Sequence, residues 1–465
     1  MEGIDSASRD LGIFCGLVLF VLIAAAIALT IKPIVRERDR RFVITLIAMA
    51  AIMIVKLALL PFFPGYVPDV RKFELWGQVM ARLGPAHLYD PKYACRYTHG
   101  YMYVLWPPAA VFQLLAPLIP LARFETLRVL IESPPVIADF LLCAIVYVGL
   151  RRMAPAWLAL PGTMLLALSP SMIYTSTFWG QNDPVLMLLI MLGVLLAGDS
   201  RHAMAWAMVA IAIAIKPQGM LFLPVLGSWT LLTGDWRSWL RSAAAFIAAT
   251  IVAIAPFQIA HGWHFIIDMY RSLLNVTAFA SFNAFNLMAV LGGVRVADST
   301  EVIGGVSYYI LGNFLVAAVC VFAGWILWVK LTQRSLLFAA FIVYFGFFLF
   351  ETRIHERYLY FAVVLLTPLV FVSRATIVMW VVLTVTHFVN IVYVKGLLES
   401  GVHLYGSVPI ATAVGLVNLA VFAVAVGHGL IAASDLPDAR WPAALRWIFS
   451  PPEFATTRPE TRIGD

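Results

Sequence analysis

Long apolar runs separated by short polar segments constrain this chain more than any other feature. Runs of about twenty apolar residues match the length of a helix that crosses a bilayer, and such runs recur between residues 11 and 432. Composition agrees: 62% of the residues are hydrophobic and only 12% are charged, against about 25% charged in a soluble domain. The charges gather in the short segments between runs. That is the pattern of an all-α, polytopic membrane protein.

Charge also suggests the topology. Lys32, Arg36, Arg38, Arg40 and Arg41 lie between the runs 11–31 and 42–62 and read as a cytoplasmic loop under the positive-inside rule. Residues 64–103 then lie outside. Further runs near 128–149, 157–176, 184–198, 203–216, 218–233, 239–260, 306–329, 335–350, 358–373, 375–394 and 408–432 keep Arg151, Arg152, Arg201, Arg237, Lys330, Arg334, Arg374, Arg440 and Arg446 inside. The map has about thirteen spans. Residues 101–121 contain Pro107, Pro108, Pro117 and Pro120. Prolines remove backbone donors, so a broken or re-entrant segment is expected there. A crossing at that point would invert the charge pattern downstream. The expected organisation is one transmembrane domain, 1–435, with external loops at 64–103 and 261–305 and a cytoplasmic tail at 436–465.

The net charge of +7 follows from this sidedness and is no nucleic-acid footprint. Cys15, Cys95, Cys143 and Cys320 have no metal-type spacing and form no disulfide framework. The first apolar run is as long as a span and a second follows closely, so no cleavable signal is expected. The lack of long hydrophilic insertions suits a prokaryotic inner membrane.

On this map the remaining polar clusters fall on one face. Asp69 is followed by Arg71 and Lys72, then by Phe73, Leu75, Trp76, Val79, Met80 and Leu83 at helical intervals. This pattern predicts a helix lying on the membrane surface and presenting Asp69. Asp90 is a candidate for a second carboxylate role. In Trp179-Gly180-Gln181-Asn182-Asp183-Pro184, turn chemistry accounts for Gly, Asn, Asp and Pro but leaves Trp179 and Gln181 unexplained.

Lys216-Pro217-Gln218 interrupts a long apolar run. Lys216 either snorkels to an interface or offers a point charge to a phosphate where two short helices meet. Residues 351–358, with His355, Glu356 and Arg357, form either a solvated loop or a paired network for phosphate or sugar. Asn283 and Asn286 stand among Phe279, Phe282 and Phe285, a set suited to sugars or to an ordinary capped loop. Glu132 and Asp139 lie near the outer end of a span, and Asp139 reads as a satisfied intramembrane partner.

In this order the motifs resemble the GT-C superfamily of membrane glycosyltransferases, and most of all the polyprenyl-phosphate-mannose-dependent mannosyltransferases, over residues 42–375. The carriers are Asp69, Trp179–Asp183 as written above, Lys216-Pro217-Gln218, Asn283 with Asn286, and His355-Glu356-Arg357-Tyr358. The resemblance implies a GT-C-like fold and an inverting enzyme. It would move one sugar, mannose, from a polyprenyl phosphate to a lipid-linked or glycan acceptor outside the membrane. Asp69 would be the general base. Lys216 and Arg357, with Arg71 or Lys72, would hold the donor phosphate. Trp179, Gln181, Asp183, Gln218, Asn283, Asn286, His355 and Glu356 would contact sugar or acceptor. No metal and no cofactor beyond the lipid-phosphate sugar is implied.

The chain departs from the family where Trp106-Pro107-Pro108 replaces the usual Tyr-Pro-Pro, preceded by Thr98-His99-Gly100-Tyr101. This points to a changed acceptor or a shifted register. The first apolar run also looks additional to the family core. Two rivals remain: a ligase or polymerase of lipid-linked glycans, which the sequence separates poorly, and a transporter or flippase of glycolipids. The second lacks the internal repeat such proteins often show.

Overall fold

The structure is a computed structural model that describes residues 2–118, 123–275, 278–433 and 447–455. It opens with α1 (Glu2–Arg36) and α2 (Arg40–Leu59), followed by α3 (Val67–Arg82), the single turn α4 (Pro85–Leu88), α5 (His99–Leu115) and α6 (Arg123–Met153). Next come α7 (Ala159–Ala167), α8 (Pro170–Ile173), α9 (Asp183–Gly198), α10 (His202–Ile215), α11 (Leu223–Thr233) and α12 (Trp236–His261). A long connection carries α13 (Phe265–Asn275), α14 (Leu287–Val290) and a small antiparallel hairpin, β1 (Glu301–Ile303) and β2 (Val306–Ser307). The chain returns through α15 (Tyr308–Val329), α16 (Gln333–Phe350), α17 (Leu359–Leu366), α18 (Arg374–Glu399) and α19 (Pro409–Ala433).

This is an all-α polytopic membrane fold. Among the described residues, eight helices are long and apolar enough to cross a bilayer, or nine if α7 and the helix after it count as one bent span. The expected count of thirteen is not reached by that measure. The runs 184–198, 203–216, 218–233 and 358–373 fold as α9, α10, α11 and α17, helices of 16, 14, 11 and 8 residues. At about 1.5 Å per residue the longest of these falls short of a hydrocarbon core about 30 Å thick.

Hydropathy does not distinguish inside from outside. Every residue of α17 is buried, and so is 83% of the most apolar window of α16, whereas α1, α2, α12, α15 and α19 bury less than a third of theirs. Lipid tails are as apolar as leucine, so position in the bundle follows packing and polar contacts rather than hydrophobicity. One such contact is buried at the centre: Lys56 of α2 pairs with Asp139 of α6 and donates to Ser176 Oγ at 2.7 Å. Asp139 is thus the satisfied partner that the sequence suggested.

The two ends of the bundle differ in chemistry. At one end, Arg151 reaches Glu37 at 2.8 Å and Asp39 at 3.1 Å, and Arg152 forks onto Asp199 at 2.8 and 2.9 Å. There Arg374 also donates to the carbonyls of Trp447 and Pro451 and to Ser450 Oγ. Arg151, Arg152 and Arg374, three of the residues grouped by the charge map, therefore fasten the loops of one end. Residues 434–446 and 456–465, with Arg440 and Arg446, lie outside the described residues.

The opposite end gathers the other polar clusters, and α5 belongs to it entirely. Thr98 Oγ1 donates to Ile215 O at 2.6 Å, where α10 ends. A Cβ on Gly100 would come within 2.4 Å of the Ala214 carbonyl carbon, so only glycine allows this approach. The last turn of α5 shares a cleft with Arg82 at the end of α3. The ends of α3 are themselves tied there, by Tyr66 N donating to Trp179 O and Arg9 of α1 donating to Ala81 O.

So α5 enters and leaves the bundle at the same end. It continues unbroken through Pro107 and Pro108. The sharp break falls instead between α7 and α8, at Ser169-Pro170, where the axis turns by 46°. The apolar face of α3 also differs from expectation. Phe73, Trp76, Val79 and Met80 are buried, with Phe73 edge-on to Tyr97 and Tyr101, while Leu75 and Leu83 are exposed. That face packs on α5 and its approach segment.

Candidate active site

The site is built from a clamp at the start of α3. Gly65 N donates to Glu132 Oε1 at 2.7 Å, and Arg128 holds the other oxygen of Glu132 at 2.9 Å while donating to the last carbonyls after α2. A Cβ on Gly65 would meet Glu132 Oε1 at 2.6 Å and Trp179 O at 2.7 Å. Only glycine lets the two loops touch. One turn further on, Asp69 accepts a hydrogen bond from Gln181 Nε2 at 2.8 Å. Glu132 is thus a structural clamp, and the Gln181 left over by turn chemistry orients the Asp69 carboxylate.

A buried charge cluster stands next to this clamp. Pro217 disfavours helical geometry at the preceding residue, so α10 stops and Lys216 is extended, with φ −158° and ψ 134°. Its ammonium pairs with Asp183, the first residue of α9, and lies 4.9 Å from the centre of the Tyr358 ring. Arg357 Nε approaches the other Asp183 oxygen at 3.7 Å, and Arg357 Nη1 meets Glu356 at 3.1 Å. From behind, His387 Nε2 lies 3.2 Å from Arg357 O while its Nδ1 lies 2.6 Å from Ser171 Oγ. Asp69 is within electrostatic reach of Lys216, Glu356 and Arg357.

The third wall is the connection after α13. Arg353 N donates to Phe279 O at 2.8 Å and Phe282 N to Ile354 O at 3.0 Å, which zips this connection against residues 351–358. Asn390 of α18 supports it by donating to Asn283 O and accepting from Phe285 N, both at 3.0 Å. A cavity of about 470 Å³ lies between the Lys216 break, α13 and residues 351–358, and Asp69 and Gln181 are not among its described lining residues. Arg96, Tyr97, Lys216, Gln218, His355 and Arg357 line its polar side, while Met220, Leu221, Tyr270, Leu273 and Phe347 form an apolar flank.

The profile of glycosyltransferase family 87 matches residues 104–352, more than half of the chain. The chain belongs to glycosyltransferase family 87. No curated protein matches it. The matched stretch holds the Trp179 turn, Lys216 and the Asn283 segment, and ends before Arg357. The contacts above attach Asp69 and Arg357 to it from either side.

Several expected residues of this glycosyltransferase are placed differently. Arg71 and Lys72 are exposed on α3 and line no part of the cavity. Asp90 faces His87 and Lys92 at 3.5 and 3.4 Å, away from the cavity. The amide of Asn286 is consumed internally: it accepts from Ala289 N and donates to Phe348 O. Asp183 gives Oδ1 to Lys216, and its Oδ2 faces Arg357 Nε at 3.7 Å. Asn283 accepts from Arg295 Nε at 3.3 Å. The imidazole of His355 is held well below its ordinary pKa by burial and by Arg357, Lys216 and Arg295. It is a neutral hydrogen-bonding group, unsuited to pairing with phosphate as a cation. Burial pushes the Glu356 carboxyl upward, opposed by Arg357.

The site is also where unmet hydrogen bonds collect. Trp179 Nε1, Asn182 Nδ2, Asp183 Oδ2, Gln218 Oε1, Asn283 Nδ2, Glu356 Oε2 and Arg357 Nε are buried without a hydrogen-bond partner. Each such group costs about 1–3 kcal/mol, so their grouping points to a polar ligand. Sequence reasoning missed Arg96, Tyr97, Lys56, His387 and Asn390. The last three carried a signal, being polar residues within apolar runs; Arg96 and Tyr97 lie in an irregular loop and carried none.

Proposed function

We propose that this glycosyltransferase moves one sugar from a polyprenyl-phosphate donor to a lipid-linked or glycan acceptor, with inversion at the anomeric carbon. The observation that carries the reading is one oriented carboxylate, Asp69 on Gln181, within electrostatic reach of Lys216 and Arg357, two cations that line the cavity. Asp69 takes the proton of the acceptor hydroxyl as its oxygen bonds to the anomeric carbon. The bond from that carbon to the phosphate oxygen breaks, and its electron pair leaves with the phosphate. Lys216 and Arg357 stabilise the charge released. Asp183 is the resting counter-ion of both cations and gives way to the donor phosphate. Arg96 takes the outer position first assigned to Arg71 or Lys72.

The flank of Tyr270, Leu273, Met220, Leu221 and Phe347 is suited to the first isoprene units. Mannose is the sugar the GT-C resemblance favours, and the external face is the side the charge map favours. A single displacement on a β-linked donor yields an α-glycoside.

The test uses purified protein in lipid with radiolabelled polyprenyl-phosphate mannose, glucose and arabinose and a glycolipid extract as acceptor. Asp69→Asn is expected to lower transfer by roughly 10²–10⁴-fold while donor binding persists. Undiminished transfer would move the base elsewhere. No transfer from any donor by the folded wild type would favour a glycan ligase or a flippase.

A further inference from the structure

We propose that the arginine-rich end of the bundle carries a second site, for the phosphate of an anionic phospholipid. A cavity of about 200 Å³ opens there between the end of α15, the first turns of α16 and the end of α19, with Phe449 and Pro451 as its roof. Its polar lining is Lys330, Thr332, Arg334, Ser335 and His428, with no carboxylate among the described lining residues.

Three independent features converge on an anion. The opening turn of α16, an 18-residue helix, faces the cavity, and its N-terminal partial charge favours negative groups. Two cationic side chains, Lys330 and Arg334, line the same space. His428 is 9% exposed, and its Nδ1 is buried with no hydrogen-bond partner. The ring lies 5.4 Å from that of Phe338 and 5.7 Å from that of Phe449. A buried nitrogen left unsatisfied is costly, and an anionic oxygen in the cavity would satisfy it.

The depth of the cavity selects a lipid over a free anion. Trp325 and Trp328, in the turns of α15 that precede Lys330, are exposed, as is Trp447 beside the roof. Indoles prefer the headgroup level of a bilayer. Val321 of α15 and Leu430 of α19 are also exposed, which gives acyl chains an apolar surface next to the cavity. A headgroup phosphate held at Lys330 and His428 would fix the ends of α15, α16 and α19 together. The site is separate from the candidate active site, and the proposal stands whether or not the donor reading does.

The test is native mass spectrometry of the full-length protein in a neutral detergent. It would be titrated with phosphatidylglycerol, phosphatidylcholine and inorganic phosphate, each also followed by thermal unfolding. Phosphatidylglycerol is expected to bind and to raise the melting temperature more than phosphatidylcholine does. The double variant Lys330→Gln/His428→Phe should weaken its binding about tenfold, whereas Arg237→Gln, a cation elsewhere at the same end, should not. Equal binding of the two lipids, or full binding by the double variant, would overturn the proposal. Displacement of the lipid by an equal concentration of inorganic phosphate would also overturn it, since the site would then be one for a free anion. Should the double variant not fold, the comparison of lipids on the wild type still decides.

Discussion

Asp183 and Asp69 are both carboxylates at one site, and their surroundings give them different parts. Asp183 is fully buried and pairs through Oδ1 with Lys216, with Arg357 Nε 3.7 Å from Oδ2, so it stands between the two cations. Asp69 is partly exposed and accepts from a neutral amide, so its charge is oriented without being neutralised. The His355 ring makes a pH-dependent contribution that can be measured. Its folded pKa lies well below the ordinary value because burial and three cations oppose its protonation. Between the folded value and about 6.5, the unfolded chain binds a proton that the folded chain does not, so stability falls as pH drops below about 6.5. His355→Gln is expected to flatten that part of the curve in thermal unfolding between about pH 5 and 7.5. An unchanged slope would assign the titration to another group. Residue by residue, the sequence was most informative where a side chain did not suit its local structure. Trp179 and Gln181 exceeded what a turn requires, and both lie at the clamp. Asn286 suited its capped loop fully, and capping is what it does.

At the scale of elements, the bundle is held by polar links between helices as much as by apolar packing. Lys56 and Asp139 join α2 to α6, and Ser176 and Tyr360 bring in the segment after α8 and α17. Asp139→Ala leaves a buried ammonium uncompensated and is expected to cost about 3–5 kcal/mol, whereas Lys56→Met with Asp139→Leu should recover most of the loss. Unfolding in detergent would measure both, and a silent single variant would show that Lys56 finds another partner. The break at Ser169-Pro170 leads into π-helical turns at Tyr174–Phe178, which deliver Trp179 and Gln181 to the site. π-helical turns are often found where a helix serves a functional site. The sequence leads us to expect a broken or re-entrant segment at 101–121, which carries four prolines, but α5 is unbroken. It stays helical through Pro107, which is exposed, and Pro108, which is half-buried, while its other faces pack on α3, α6, α10 and α12.

For the molecule as a whole, the decisive property is that its two ends differ. If α5 enters and leaves at one end, exposed positions on either side of it share one face of the membrane. Cysteines introduced at Lys92 and Glu125, in a background without the four native cysteines, should react with an impermeant maleimide from the same side of sealed vesicles. One at Arg38 should react from the other. Opposite labelling of Lys92→Cys and Glu125→Cys would mean that α5 crosses. The sequence by itself determined the all-α multi-pass class, the gathering of arginines at one end, and the candidacy of Asp69, Gln181, Lys216 and Arg357. Those follow from costs that each residue carries alone: a charge in an apolar run, a basic loop beside a span. Only the tertiary structure decided which apolar helices are central, which amides and carboxylates are consumed internally, and that Lys56 meets Asp139. The reason is physical. Leucine faces lipid and protein with nearly equal free energy, and the partner of a buried polar group is set by helices distant in sequence, whose contacts no local pattern encodes.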